Sequence, residues 1–248
     1  MNQNPFEDSA GVPWEGREFS VNDWAGDDGS APAHLAAVLD QSPIYKEKFF
    51  QALGDSRLLI PLIATIGESE VGPHGLEVDK SADLAIVAVA TPDGKTAIPA
   101  FSSVDQMTLW NPAARPVPVS AQKIALAAIS EGHDRVVIDP ASAAVALRRP
   151  ALAALAQGLS WLPAHKNPRV KELVSMAALT QPMISSVDLF DNDPTGKLAN
   201  TELLIQLGLQ SGIKPDGLKL LLEGFHQELQ SQEFLQLVDS IAIRLVVA

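Results

Sequence analysis

The chain has no cysteine among its 248 residues. That excludes disulfides, thiolate nucleophiles and zinc–sulfur centres together. Aromatic residues are scarce, at 5% with a single tyrosine, so any core must be built from Leu, Val, Ile and Ala. Bases are few as well: 18 Lys and Arg against 30 Asp and Glu give a net charge of -12. A nucleic-acid partner wants a basic stripe and an anionic membrane surface wants a basic patch, so neither is expected. No apolar run reaches the length of about 18 residues that a membrane span needs. The opening MNQNPFEDSAG has neither a basic start nor an apolar stretch, so no secretory signal is expected and the cytoplasm is the expected location.

What is present is mostly aliphatic: hydrophobic residues make up 46%, enough for one large domain or two small ones. Residues 1–32 read as a polar arm in which seven acids against one base leave a charge of -6, half of the total. Such a segment cannot fold alone. It nevertheless carries Trp14, Phe19 and Trp24 beside Arg17, and large rings in a solvated arm sit on something. They are the expected partner-contact residues, with docking on the protein's own surface as the plainer reading.

Ordered structure is expected from Ala33. Residues 33–40 and 43–53 are helical in pattern, broken at Pro43. Arg57–Ile66 reads as a strand, with Pro61 marking an edge or bulge. Leu84–Ala90 is apolar on both faces, as in a central strand. Pro92-Asp93-Gly94 is a turn leading to a return strand over Thr96–Phe101. Ser103 and Gln106 have capping-box spacing ahead of a helix ending by Trp110. Ser120 caps a further helix with Ile124, Ala127 and Ala128 inward and Gly132 as its stop. Val136–Ile138 is a strand, and Arg148–Gln157 a helix closed by Gly158. The expected organisation is an N-terminal domain over 33–163, a linker at 164–169 and a smaller C-terminal domain over 170–248. The latter has a helix over Lys171–Leu179, strands over Ile184–Phe190 and Glu202–Leu209, a helix with Leu218, Leu221, Leu222, Phe225 and Leu229 in one stripe, and a closing strand. The fold class is therefore α/β to α+β: a mixed-sheet domain with helices, then an α-β-β-α-β unit.

The stretch Ile98-Pro99-Ala100-Phe101-Ser102-Ser103, a helix ending in Trp110, and Asp139-Pro140 after a strand resemble the N-terminal domain of the SseB family, the enhanced serine sensitivity proteins. The arm segments Pro13-Trp14-Glu15-Gly16-Arg17 and Ala25-Gly26-Asp27-Asp28-Gly29 resemble longer members, and residues 170–248 are similar to the smaller unit that often follows. The resemblance implies the fold and brings no catalytic residue with it.

Four motifs imitate chemistry. Gly54-Asp55-Ser56 has the letters of a hydrolase nucleophile block, but no His follows an Asp by three residues and the serine precedes a strand. Gly94-Lys95-Thr96 ends like a phosphate loop but opens a strand instead of a helix. His133-Asp134 is one pair where a metal needs several convergent ligands. Asp191 to Glu202 places Asp at positions 1 and 3, Thr at 5, Gly at 6 and Glu at 12, the spacing of an EF-hand loop. Its flanks are strand-like where that motif needs helices, so it reads as a polar hairpin loop. The expected function is a non-catalytic binding or regulatory protein, without cofactor, acting on a protein partner or as a homo-oligomer. The alternatives are an amino-acid sensor and a hydrolase with His74, Glu68, Glu70 or Asp79 in the 67–79 loop.

Overall fold

The computed structural model describes residues 24–63 and 87–247. Trp14, Arg17 and Phe19, and the loop with Glu68, Glu70, His74 and Asp79, lie outside the described residues.

Two helices open the described chain, α1 (Ala33–Leu39) and α2 (Lys46–Gly54). Strand β1 (Arg57–Leu62) pairs antiparallel with β4 (Arg115–Ser120). A four-stranded sheet runs β2 (Val89–Ala90), β3 (Thr96–Ala100), β5 (Arg135–Ile138), β6 (Val145–Leu147). β3 and β5 are parallel, with α3 (Val104–Trp110), β4 and α4 (Ala121–Ser130) in the crossover. Leu59 and Phe101 exchange two main-chain bonds of 2.8 and 2.9 Å, which join β1 to the end of β3. Helix α5 (Arg149–Ala156) follows β6 directly.

Of the central strand expected over Leu84–Ala90, residues 84–86 lie outside the described residues. Among the described residues β2 is two residues long and lies at the sheet edge, while β5, buried at all four positions, holds the centre. β6 went unread because its turn is made without glycine: Asp139 and Ala144 take φ of 51° and 52°. Helix α4 buries Ala121, Ile124, Ala125 and Ala128, so Ala125 takes the inward place expected of Ala127. Its end is set by Gly132 at φ 77°, with the His133 amide bonded to the Ala128 carbonyl at 2.8 Å. The first core lies among α1, α2, α4, α5 and one face of the sheet, around Leu35, Leu53, Ile98 and Leu152.

A one-turn 3-10 segment, Ala164–Lys166, leads into α6 (Pro168–Leu179), whose Asn167 cap accepts from the Arg169 amide at 2.9 Å. Of the residues read as a linker, Ala164 is 2% exposed and belongs to the second core, while Lys166, Pro168 and Arg169 are exposed. β7 (Ile184–Asp191) and β9 (Ile241–Val247) flank β8 (Leu203–Leu209), antiparallel and parallel respectively. α7 (Pro215–Glu228) presents Leu221 and Phe225 to that core, with Leu218 and Leu222 half-buried beside them. An additional helix, α8 (Gln232–Leu237), is capped by Ser231. The second unit is thus α-β-β-α-α-β. The whole is an α+β protein, and among the described residues no helix is long and apolar enough to cross a membrane.

Candidate functional site

The charged residues that sequence reading left unconnected meet between the two cores. Arg135 begins β5 and Arg148 sits just before α5; Asp193 lies in the β7–β8 loop and Asp239 just ahead of β9. Each of these four side chains is at most 7% exposed. Arg148 Nη2 donates to Asp193 Oδ2 at 2.7 Å and to the Asn200 carbonyl at 2.7 Å. Its Nη1 donates to Asp239 Oδ2 at 3.1 Å. Arg135 Nη2 reaches the same Asp239 oxygen at 2.7 Å and Asp93 Oδ2 at 2.9 Å. Burial pushes the Asp239 carboxyl up, but the Arg135, Lys95 and Arg148 charges outweigh it and hold the group below the usual range.

Main chain reinforces this seam. The Ile44 amide donates to the Pro194 carbonyl at 3.1 Å, and the Ala146 amide to the Gly196 carbonyl at 2.8 Å. The outer edge of β6 is thereby covered by the loop. Gly196 permits the approach: its φ is 67°, and a Cβ there would lie 3.2 Å from Val145 Cγ1.

The loop is the one with EF-hand spacing. Its flanks are the antiparallel strands β7 and β8, as the sequence suggested. Its acids are met by the protein's own cations: Lys46 Nζ donates to Asp191 Oδ1 at 2.6 Å, and Arg148 takes Asp193. Glu202 is held differently. Its Oε2 accepts from the Asp239 amide at 2.6 Å, its side chain is buried, and burial pushes its pKa up to about 7. Two voids adjoin the seam. An open polar pocket of about 540 Å³ is lined by Lys95, Arg135, Asp239 and Asn200 among others. A small, partly open cavity of about 30 Å³ is bounded by Lys46, Arg148, Asp193 and Glu202 among others.

The other motifs resolve as local structure. Ser56 Oγ donates to the Ala52 carbonyl at 2.6 Å and lies 3.0 Å from His34 Nε2. His34 Nε2 also lies 3.2 Å from the Ala52 carbonyl, so serine and histidine meet at the end of α2. His133 Nδ1 sits 3.1 Å from Thr96 Oγ1, and Lys95 lies 3.4 Å from Asp134. No group of three or more potential metal ligands converges among the described residues. Asp139 accepts from the Ser102 amide at 2.8 Å and the Ser102 hydroxyl at 2.7 Å, clasping the ends of β3 and β5. Burial raises its carboxyl above the ordinary range despite those bonds. Ser103 caps α3, and Phe101 packs on Trp110 with ring centroids 5.3 Å apart.

Of the expected contact residues, Trp24 is described. It lines a shallow cleft of about 240 Å³ with Leu59, Val104, Pro116 and Pro118. The arm's end is tied down before Ala33: Asp27 pairs with Arg57, and the Val104 amide bonds to the Gly29 carbonyl at 2.9 Å. Attachment therefore begins earlier than composition implied, because one buried arginine needs a carboxylate. A second surface feature was not read from the sequence. A groove of about 800 Å³ runs between α5 and α8, with Trp161, Leu159, Leu162 and Ile129 on its walls and Arg149 at its side. The only signal available was the apolar run after Gly158, in a segment that had been assigned no role.

Fold and site together define an α+β protein whose polar pairs join two aliphatic cores. Residues 33–154 match the family model of the SseB protein N-terminal domain, and the chain belongs to the SseB family. The pattern on which that resemblance rests is the Ser102–Asp139 clasp with the Phe101–Trp110 contact, a structural signature. No curated protein and no solved structure matches the chain.

Proposed function

We propose that this protein is a non-catalytic binding protein that acts in the cytoplasm through protein–protein contacts at the α5–α8 groove. The observation that carries the reading is a contrast. The charged side chains of the seam are consumed in one another, while large apolar side chains stand uncovered at the groove. Leu159 is 56% exposed, Leu162 44% and Ile129 41%. Contiguous apolar exposure of this kind marks contact surfaces. Trp161 anchors the groove floor, its ring 5.4 Å from Phe50 of the first core. Arg149 is the charged residue in the lining of a molecule whose net charge is -12. The fitting occupant is an amphipathic partner segment with an apolar face and an acidic residue set against Arg149.

A photo-crosslinking residue at position 162, with one at Leu179, which is more exposed at 85%, as control, tests this. The expected result is a protein adduct at 162 alone. The purified adduct partner should rebind the intact protein and lose at least about tenfold in affinity for the Leu159→Asp, Leu162→Asp variant. Equal labelling at both positions, or unchanged binding to the variant, would refute the reading.

The pocket of about 540 Å³ at the seam supports a second reading, that of a small-molecule sensor. Its size suits an amino acid and it lies between two units, where ligand sites concentrate. A rise in thermal midpoint with one amino acid and not with the others would favour it.

A further inference from the structure

We propose that Glu202 is a proton-operated latch on the seam, holding the two units together when neutral and loosening them when ionised. The geometry supplies the reason. The buried pairs are balanced without it: Arg135 and Arg148 against Asp193 and Asp239. Glu202 is a further buried acid at the seam, and among the described residues its side chain takes its hydrogen bond from a main-chain amide and not from a cation.

The groups facing it can be taken element by element. Its own loop supplies Asp193, engaged by Arg148, and Asp191 at the end of β7, engaged by Lys46 of α2. The segment before β9 supplies Asp239 and Ser240, whose Oγ accepts from the Glu202 amide at 3.0 Å. Behind Asp239 stand Arg135 on β5, Lys95 and Asp93 in the hairpin turn, and Asp134 at the exposed edge of Lys95. His165 of the 3-10 turn lies near Asp191 and Lys46, and burial keeps it below its ordinary range. A charge on Glu202 is therefore an anion without a cation of its own, next to Asp239, at the small cavity it shares with Lys46, Arg148 and Asp193. Burial places the transition at about 7, and a buried unpaired charge is the costliest group a seam can hold. The cheapest relief is to move the loop outward and admit water. That breaks the two main-chain bonds, Ile44 to Pro194 and Ala146 to Gly196.

Those two amides report the event directly in hydrogen exchange on the full chain. After correction for intrinsic rates, protection at Ile44 and Ala146 is expected to fall at least about tenfold from pH 6 to pH 8. The Leu59 amide, bonded to Phe101 within the first unit, away from the seam, should hold. Glu202→Gln should abolish the pH dependence. A fall at Leu59 as large as at Ile44 would mean global destabilisation and would overturn the latch, as would identical profiles in the variant. Should the variant not fold, the carboxyl carbon shift of Glu202 in the intact protein decides. Titration near 7 supports the latch, and titration in the ordinary glutamate range removes it.

Discussion

Arg148 hands one guanidinium nitrogen to Asp193 across 2.7 Å, so a loop of the second core is fastened to the residue before α5 of the first. Asp193 spends its Oδ2 on this bond and on the Leu198 amide at 3.0 Å; its Oδ1 is buried without a partner. Removing the cation would leave a buried carboxylate almost bare. Arg148→Ala is expected to cost about 3–5 kcal/mol in urea denaturation, the usual cost of breaking a buried pair. Adding Asp193→Asn to that variant should recover part of the loss. A loss under about 0.5 kcal/mol would show that the seam does not hold the units.

Gly196 gives a finer test of the same contact. Alanine there takes on both the strain of φ 67° and a Cβ set 3.2 Å from Val145 and 3.4 Å from Ile44. Gly94→Ala carries similar strain, at φ 78°, with nothing within 4 Å of the new methyl. Gly94→Ala should cost about 1 kcal/mol and Gly196→Ala about 2 kcal/mol or more. Thermal midpoints of the two variants check this. Equal losses would mean that the loop does not press on β6.

Much of this architecture could be read from the chain, and the pattern of success has a physical basis. Helices α4 and α7 carried stripes at 3.6-residue spacing and explicit caps or stops, signals that depend only on neighbours in sequence. The β6 hairpin did not, because Ala144 occupies a left-handed position where glycine would have announced the turn. Helix α8 is six residues long, too short for a period. The seam is harder still. The partners Arg148 and Asp239 are 91 residues apart, and nothing local distinguishes a buried arginine from a solvated one. The loop from Asp191 to Glu202 stands out in sequence for its acids, but nothing local names the cations that meet them, Lys46 and Arg148 of the first unit.

That substitution of side-chain cations for a metal has a consequence for calcium. Two acids of the loop are already paired, and the flanking strands fix the backbone. A few millimolar calcium is expected to leave the thermal midpoint unchanged, since only binding to the folded state raises it. Titration calorimetry giving heat with a defined stoichiometry would contradict this.

The acid limb of stability should belong largely to Asp239. Its carboxyl is desolvated, yet Arg135, Lys95 and Arg148 keep it below its unfolded value of 3.8. Its contribution is therefore present above that value and lost as pH falls through the lower folded one. Asp93, buried in part but bonded to Thr91 and Arg135, acts in the same sense. Denaturation between pH 5 and 2.5 should show a steep fall in the intact protein and a shallower one in Asp239→Asn. Parallel slopes would assign the acid limb to other carboxylates.

Arg57 makes the end of the arm part of the fold. Its guanidinium is 6% exposed, pairs with Asp27 and donates to the Ser102 carbonyl at 2.7 Å. It also donates to the Ser30 carbonyl at 2.8 Å, so two segments, the end of the arm and the turn after β3, converge on one cation. Deleting residues 1–30 strips away Asp27 and the Ser30 carbonyl and leaves the cation with Ser102. The loss is expected to be about 2–3 kcal/mol, a drop of roughly 4–12 °C in midpoint for a chain of this size. Asp27→Asn in the intact chain should reproduce most of it, because the amide cannot return the charge. If the deletion destabilises and the point variant does not, the contribution lies elsewhere in the arm. If neither shifts the midpoint, Arg57 is satisfied without Asp27 and the arm is free to serve a partner.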